Sequence, residues 1–471
     1  MRAAKIVATV GPASGSGQTL RALLQAGVNV FRFNLSHGEV TEHAERIRLV
    51  RAISAELGLH TAVLIDLQGP KIRLGKFQGG GCVLAAGAQF TITAEPVLGD
   101  CTRASTTYAQ FARDVKAGDR VLLNDGAVEL RVIDSDGLSA RCEVVSGGPV
   151  ADRKGINLPG VPVSAPSLTD KDKADLDSLL PESVDLVALS FVRRAEDITG
   201  LRRFLQERSS PLPIVAKIEK PEAWENLDAI LEESDGLMVA RGDLGVEVAL
   251  EKVPFMQKSM ITRARQRGRF VITATQMLES MIVNPTPTRA EVSDVANAIA
   301  DGTDAVMLSA ETSVGKYPVE AVLRMASIAA EAERSLREIG FPAMPAGRGR
   351  SHAELIADAA FEAAQSGAVE AIVVFTLSGS TARLVARYRP PVPVLAFTPS
   401  EAVARQLAAV YAVTAMPMPN LRSTDDILGH VEQTLLNCRR LAPGASVAVV
   451  AGLPPGRPGN TNLLKLHRVG G

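Results

Sequence analysis

Cysteine is scarce in this chain of 471 residues: Cys82, Cys101, Cys142 and Cys438 are the four, with no C-x-x-C pair and no metal-ligand spacing. That excludes a disulfide framework or a zinc ribbon as the basis of the fold, and free thiols are expected. A surplus of either charge is also missing, since 51 basic side chains meet 52 acidic ones for a formal net charge of −1. A nucleic-acid or anionic-membrane partner normally requires a basic excess, so neither is expected. No stretch approaches the roughly 18 uninterrupted apolar residues of a membrane span. The first apolar run begins at Ala4, which leaves no room for a signal peptide, and a cytoplasmic protein is expected. Two phosphate-binding devices are absent as well: a G-x-x-x-x-G-K-[ST] loop and a G-x-G-x-x-G turn after the first run. A nucleotide, if bound, must be held some other way.

What is present is an ordinary globular composition, 46% hydrophobic and 22% charged, in a chain too long for one simple core. Eight apolar runs alternate with helical periods: Ala4–Gly11, Val28–Ser36, Thr61–Gln68, Leu186–Val192, Ile214–Lys220, Gly236–Leu244, Phe270–Met277 and Ala305–Glu311. Between them, Leu20, Leu23 and Leu24, then Ile47, Val50 and Ile53, then Leu227, Ile230 and Leu231 mark one-sided helices. Eight β–α units in succession predict a closed parallel (β/α)8 barrel, with a doubly wound open sheet as the competing arrangement. One connection is far longer than a normal βα loop, about 80 residues after the third run. Alternation in Gln89–Ala94 and Arg120–Leu123, with hairpin signals at Asn124-Asp125-Gly126 and Asp136-Gly137, predicts an inserted antiparallel β domain. The expected organisation is barrel over 1–70, inserted lid over 71–155, barrel again over 156–339, and a C-terminal α/β domain over 350–471. The Gly/Pro-rich stretch Gly340–Gly349 reads as the linker between the last two.

Chemistry in such a barrel sits at the C-terminal ends of the strands. Six of the eight ends carry polar groups: Arg32, Asn34 and Ser36 on one face of the second run, Asp66 on the third, and Lys217 with Glu219 on the fifth. The sixth carries Arg241-Gly242-Asp243, the seventh Thr275, and the eighth Ser309 and Glu311. Glu219 and Asp243 are suited to share one hard divalent cation, magnesium or manganese rather than zinc, because no His/Cys cluster accompanies them. Lys217, two residues before Glu219, aims an ammonium at whatever anion the metal holds. Arg32 offers a planar fork for phosphate or carboxylate. Cations on both sides of a metal are what phosphoryl transfer requires, and the Thr275 and Ser309 hydroxyls suit proton relay better than base catalysis. The inserted domain is the natural lid for excluding water.

With these residues assembled, the chain resembles the pyruvate kinase family over essentially its whole length. The resemblance rests on Phe33 through Gly38 (FNLSHG), Gly69 through Arg73 (GPKIR), Lys154 through Gly160 (KGINLPG), Met238 through Gly245 (MVARGDLG), Ile272 through Met281 (ITATQMLESM) and Pro287 through Glu291 (PTRAE). It implies transfer of the phosphoryl group of phosphoenolpyruvate to ADP, giving pyruvate and ATP in glycolysis, by a homotetramer. Glu219 and Asp243 would bind the magnesium that holds phosphoenolpyruvate, with the backbone at Gly242 and the Thr275 hydroxyl on its carboxylate. Lys217 would stabilise the phosphoryl group in flight and the enolate, and Arg32 would clamp that phosphoryl group. Asn34, Leu35, Ser36 and His37, together with Arg73 and Lys154 at the lid hinges, would hold the nucleotide phosphates. Asp125 in the lid turn would reach a second metal, and protons would arrive by water near Thr275 and Ser309.

Two family features are altered. Relatives that need potassium hold it with residues matching Asn34, Ser36 and Asp66 and a carbonyl at position 67; they carry threonine where this chain has Leu67 and glutamate where it has Lys71. An ammonium at Lys71 would repel a second cation by roughly 4 kcal/mol at about 4 Å in an effective dielectric of about 20, so no potassium requirement is expected and Lys71 would serve as Asp66's partner instead. In the C-terminal domain, Thr376-Leu377-Ser378-Gly379-Ser380-Thr381 follows a strand and opens a helix, which suits a phosphorylated activator. Leu453 stands where bisphosphate-activated relatives have tryptophan, which favours a sugar monophosphate or AMP. Two other functions compete: a magnesium-dependent pyruvate-enolate aldolase or lyase, which needs no lid framed by Arg73 and Lys154, and a non-catalytic metabolite sensor, which has no need of Lys217, Glu219, Asp243 and Thr275 together.

Overall fold

The computed structural model describes residues 2–341, 351–421, 424–437, 440–452 and 460–470. Eight strands close a parallel barrel: β1 (Lys5–Thr9), β2 (Val30–Asn34), β3 (Ala62–Asp66), then, after an insertion, β12 (Leu186–Leu189), β13 (Ile214–Ile218), β14 (Gly236–Ala240), β15 (Phe270–Ala274) and β16 (Ala305–Leu308). The order around the barrel is β1-β16-β15-β14-β13-β12-β3-β2, so β3 and β12 are neighbours although the insertion separates them in sequence. These strands are buried almost throughout, which is why they read as unbroken Val/Ile/Leu runs rather than alternating ones. The open-sheet alternative is thereby excluded.

The helices bury the stripes that the spacing predicts. The helix Gly17–Ala26 buries Leu20, Leu23 and Leu24; it starts where Ser16 accepts a hydrogen bond from Thr19 N and ends at Gly27 with φ 109°. Ile47, Val50 and Ile53 are the buried face of Val40–Glu56, and Leu227, Ile230 and Leu231 that of Leu227–Glu233. The apolar runs overshoot the strands at their C-terminal ends. The sixth stops at Ala240, and Arg241–Glu247 is a helix. Apolar periodicity does not distinguish the last strand residue from the loop that turns a side chain into the barrel mouth.

The insertion holds β4 (Gly81–Leu84), β5 (Gln89–Thr93), β6 (Arg103–Ser105), β7 (Arg120–Leu123), β8 (Val128–Ser135), β9 (Ser139–Ser146), β10 (Gly148–Ala151) and β11 (Ile156–Asn157). It is not wholly antiparallel, because β5 pairs with β6 in parallel. Both hairpin turns form where expected. Asn124, Asp125 and Gly126 take positive φ in succession (54°, 56°, 89°) between β7 and β8, and Gly137 (87°) turns β8 into β9. The lid has its own core, from Ile72 through Phe90, Phe111 and Val121 to Val161. Its two strands of attachment meet at one antiparallel bridge, Arg73 opposite Gly155.

The helix Pro318–Ile339 leads out of the barrel. Residues 342–349 of the expected linker lie outside the described residues. Beyond them, β17 (Ala371–Phe375), β18 (Val394–Thr398), β19 (Val413–Pro417), β20 (Ser446–Gly452) and β21 (Thr461–Arg468) form a sheet ordered β19-β18-β17-β20-β21. Four of these strands are parallel, and β21 is an antiparallel edge. Buried polar contacts lock this domain to the base of the barrel. Arg389 pairs with Asp304 at 2.9 Å, Tyr411 N donates to Asp304 at 3.0 Å, and Lys5 Nζ donates to Val413 O at 2.7 Å. Among the described residues no helix is long and apolar enough to cross a membrane.

Candidate active site

A cleft of about 140 Å³ opens between the barrel mouth and the lid. Arg32, Asn34, Ser36, Lys71, Lys217, Glu219 and Asp243 line it from the barrel side, and Asp125, at the tip of the β7–β8 turn, lines it from the lid. Lys217 sits at the end of β13 with its ammonium 2.8 Å from Glu219, 3.1 Å from Asp66 and 2.7 Å from the Ser190 hydroxyl. Burial disfavours its charge, but Asp66 and Glu219 outweigh that and hold the ammonium above the ordinary lysine value. Arg32, two residues before the end of β2, forks onto Asp66 through Nε and Nη2, both at 2.7 Å, and its Nη1 reaches Thr9 Oγ1 at 3.0 Å. Burial would raise the Asp66 carboxyl, yet Lys217 and Arg32 together hold it below its usual value. The site therefore presents two fixed cations across one buried anion.

Glu219 follows directly after β13 and is nearly inaccessible; its Oε2 accepts a hydrogen bond from Phe191 N at 2.9 Å. Burial pushes its carboxyl up, Lys217 opposes that, and the charge of Asp243 pushes it up further. A divalent cation between the two carboxylates would relieve the repulsion that Asp243 exerts on the Glu219 charge. Glu219 and Asp243 both offer hard carboxylate oxygens to the cleft, so the pair could hold a divalent ion such as magnesium or manganese whose other positions substrate and water would fill.

The loop after β15 is bent sharply. Thr275 and Gln276 both take positive φ (68° and 56°), at a cost of about 1–3 kcal/mol each. Arg241 supports the bend by donating to Thr275 O and pairing with Asp294, both at 2.7 Å. The bend brings Thr275 Oγ1 to 2.8 Å from Gly242 N, so the two groups assigned to one substrate carboxylate hydrogen-bond each other. Having accepted that bond, the Thr275 hydroxyl still has its own proton to give. The Ser309 hydroxyl is buried with no hydrogen-bond partner among the described residues, while Ser309 N and Leu278 N both donate to Glu311, whose carboxylate ties the loops after β15 and β16 together.

Thr275, Ser309, Leu35, His37, Arg73 and Lys154 do not line the cleft itself. Arg73 spans the lid bridge, its Nη1 on Arg153 O at 3.0 Å, and Lys154 O accepts from Leu74 N at 2.8 Å, so both flank the cleft at the lid attachment. His37 lies beside them, and its imidazole is pulled below its ordinary value by burial, then by Lys71, Arg73 and Arg32. One expectation is corrected. Lys71 is not the partner of Asp66, whose oxygens are already taken by Arg32 and Lys217. The ammonium of Lys71 is lowered by burial and then by Arg73, while the carboxylates that favour its charge are Asp243 and Asp125. The carbonyl of Leu67 accepts from the Ser190 hydroxyl at 2.7 Å.

Sequence reasoning passed over two strand ends. Thr9 closes β1 against Arg32, and Ser190, just past β12, joins Lys217 to Leu67 O. Both lie at the C-terminal end of an apolar run, so the rule that found the other six would have found them. In the C-terminal domain, Thr376 Oγ1 accepts from Gly379 N at 2.9 Å and Thr381 meets Thr461 at 2.8 Å. Of the four hydroxyls, that leaves Ser378, exposed, and Ser380, half-buried and 3.1 Å away, on the outer side. Leu453 lies outside the described residues.

Comparison with known proteins agrees with this architecture at every level. The family model described as "Pyruvate kinase, barrel domain" matches residues 1–322, and "Pyruvate kinase, alpha/beta domain" matches residues 354–467. A pyruvate kinase of Mycobacterium tuberculosis is 47% identical over 470 residues, covering 100% of this chain and 99% of its own. One from Corynebacterium glutamicum is 45% identical over 469 residues, covering 100% and 98%. Among solved structures, a pyruvate kinase from Cryptosporidium parvum superposes with a TM-score of 0.91 at 34% identity, covering 99% of this chain and 96% of that one. Barrel, lid, C-terminal sheet and full-length identity all lead to one assignment: the chain belongs to the pyruvate kinase family of phosphotransferases.

Proposed function

We propose that the cleft transfers the phosphoryl group of phosphoenolpyruvate to ADP, yielding pyruvate and ATP, with Glu219 and Asp243 holding magnesium or manganese. The observation that carries this reading is the pair of fixed cations, Lys217 and Arg32, beside two carboxylates in a cleft that the lid borders. A bound divalent ion supplies charge and orientation to the phosphoryl oxygens. The chain's own groups do the rest. Arg32 binds the group that moves, and Lys217 faces the charge that develops on it and on the enolate oxygen. Thr275, with its free proton, and Ser309, with its unpartnered hydroxyl, order the water that protonates the enolate carbon. Arg73, Lys154 and the Asn34–His37 turn take the ADP phosphates, and Asp125 reaches a second ion as the lid closes. A coupled assay of pyruvate formation from phosphoenolpyruvate and ADP, with and without magnesium, tests the proposal; no magnesium-dependent pyruvate would end it.

Three further properties belong to the same reading. Potassium is not required, because Lys71 places an ammonium in the cleft beside Asp243 and Asp125. Turnover is expected to be equal in potassium and in tetramethylammonium at matched ionic strength, and Lys71→Glu is expected to create a potassium requirement. Collapse of wild-type activity without potassium would refute this. The loop Thr376–Thr381 binds a phosphorylated activator, with Ser378 and Ser380 as the outward hydroxyls. At low phosphoenolpyruvate, a sugar monophosphate or AMP is expected to activate more strongly than fructose 1,6-bisphosphate, and the reverse order would overturn the assignment. The chain works in the cytoplasm as a homotetramer, for which the exposed apolar side chains Leu250 (72%) and Phe255 (73%) beside the barrel mouth are suited.

A further inference from the structure

The lid carries three thiols that phosphoryl transfer does not use, and two of them, Cys82 and Cys101, lie outside its core. Cys82 lies on β4, opposite Val150 of β10. Cys101 lies in the tight turn Asp100–Arg103, where the Asp100 carboxylate accepts from Thr102 N (2.7 Å), Thr102 Oγ1 (2.6 Å) and Arg103 N (3.0 Å). Reciprocal backbone bonds fix that turn against the start of β4: Gln78 N to Gly99 O and Gly99 N to Lys76 O, both 2.8 Å. With both sides held, the two cysteines are neighbours: Cys82 Sγ donates at 3.6 Å to Asp100 O, the carbonyl of the peptide bond that leads into Cys101. Cys101 is exposed and Cys82 half-buried, whereas Cys142 is buried in the lid core.

We infer that Cys82 and Cys101 form an oxidisable pair that closes to an intramolecular disulfide, a modification site on the lid whose co-reactant is a peroxide. Its first step is at Cys101, the accessible sulfur. Its thiolate attacks one peroxide oxygen, the O–O bond breaks, and a sulfenic acid and water result. Cys82 then attacks the Cys101 sulfur, the S–S bond forms, the S–O bond breaks, and the departing hydroxide leaves as water with the Cys82 proton. Two electrons pass from the two thiols to the peroxide, which ends as two waters. The order of attack follows from the surroundings: burial, then the neighbouring Cys101, pushes the Cys82 thiol up to about 11, so it is the poorer first nucleophile. The bond would tie β4, and through it β10, to the Asp100–Arg103 turn. β10 runs directly into Asp152, which accepts from Phe77 N at 2.7 Å, and into Arg153, which holds Arg73. The crosslink therefore braces the lid from behind the two attachment segments that bear Arg73 and Lys154.

The test treats the full chain with hydrogen peroxide and maps its peptides without reduction. One linked pair joining the Cys82 and Cys101 peptides is expected, with an intact mass lower by two hydrogens, restored by dithiothreitol. Backbone hydrogen exchange over residues 81–84 and 99–105 is expected to slow in the oxidised form. In Cys82→Ser the Cys101 sulfenic acid is expected to persist and be captured by dimedone, while Cys142→Ser behaves like wild type. Three results would overturn the inference: both thiols still alkylated after oxidation, Cys101 linking two copies of the chain, or dimedone capture equal with and without Cys82.

Discussion

Lys217→Met is expected to lower kcat by about 10²–10³-fold, the loss typical of one preorganised charge at the site of reaction. The ammonium is already in place, with Glu219 at 2.8 Å, Asp66 at 3.1 Å and Ser190 at 2.7 Å, so no reorganisation is needed when charge develops. Methionine keeps the length of the side chain, and Asp66 keeps its two contacts to Arg32, so the barrel mouth retains its shape. Glu219 loses its cationic neighbour, and divalent-ion affinity should therefore hold or rise. Steady-state kinetics with a magnesium titration check both statements. Near-normal kcat with a raised KM would make Lys217 a ground-state binder and remove it from the chemical step.

Asp304→Ala should give the largest loss of stability, about 3–5 kcal/mol, because it breaks a buried ion pair and strands the partner. Asp304 stands immediately before β16, and its carboxylate accepts from Val271 N at 2.9 Å, Arg389 Nη2 at 2.9 Å and Tyr411 N at 3.0 Å. Two of those donors belong to the C-terminal domain. Arg389 would keep its bonds to Gly302 O and Ala386 O but no carboxylate. Urea unfolding followed at Trp224, the single tryptophan and a barrel residue, and by far-ultraviolet dichroism should show two separated transitions where the wild type shows overlapping ones. A midpoint shift worth less than about 0.5 kcal/mol, the size of an ordinary surface substitution, would show that Asp304 does not hold the domains together.

Much of this architecture is legible from residue order because its barrel strands are buried on both faces. Sequences such as Ile214-Val215-Ala216 announce themselves, and the stripe Leu20, Leu23, Leu24 faces inward as spaced. The site was legible in type, since charged residues at the end of an apolar run have few other reasons to be there. Partners were harder. Lys71 is close to Asp66 in sequence, yet the carboxylates that favour its charge are Asp243 and Asp125, one from the helix after β14 and one from the lid. Such pairings depend on how the lid folds over the barrel, which local spacing does not encode. The parallel pairing of β5 with β6 escaped for a similar reason: Asn-Gly and Asp-Gly signals mark hairpins, and a parallel pair has no hairpin to mark. Thr275 and Gln276 also gave no local sign of positive φ, because neither type favours it.

The single bridge between Arg73 and Gly155 bears on how the chain folds. β3 and β12 must find each other across a stretch running from Asp66 to Leu186, and closing a long flexible loop carries an entropy cost that grows with the logarithm of its length. Each doubling adds only about 0.6 kcal/mol, but the search slows as separation in sequence grows. A lid that condenses first around its own core, with Phe90 and Phe111 at its centre, brings Arg73 beside Gly155 and takes the intervening residues out of the search. The barrel then closes as though the insertion were a short turn. Substitutions in the lid core should accordingly slow the appearance of native barrel signal during refolding more than they speed its loss during unfolding.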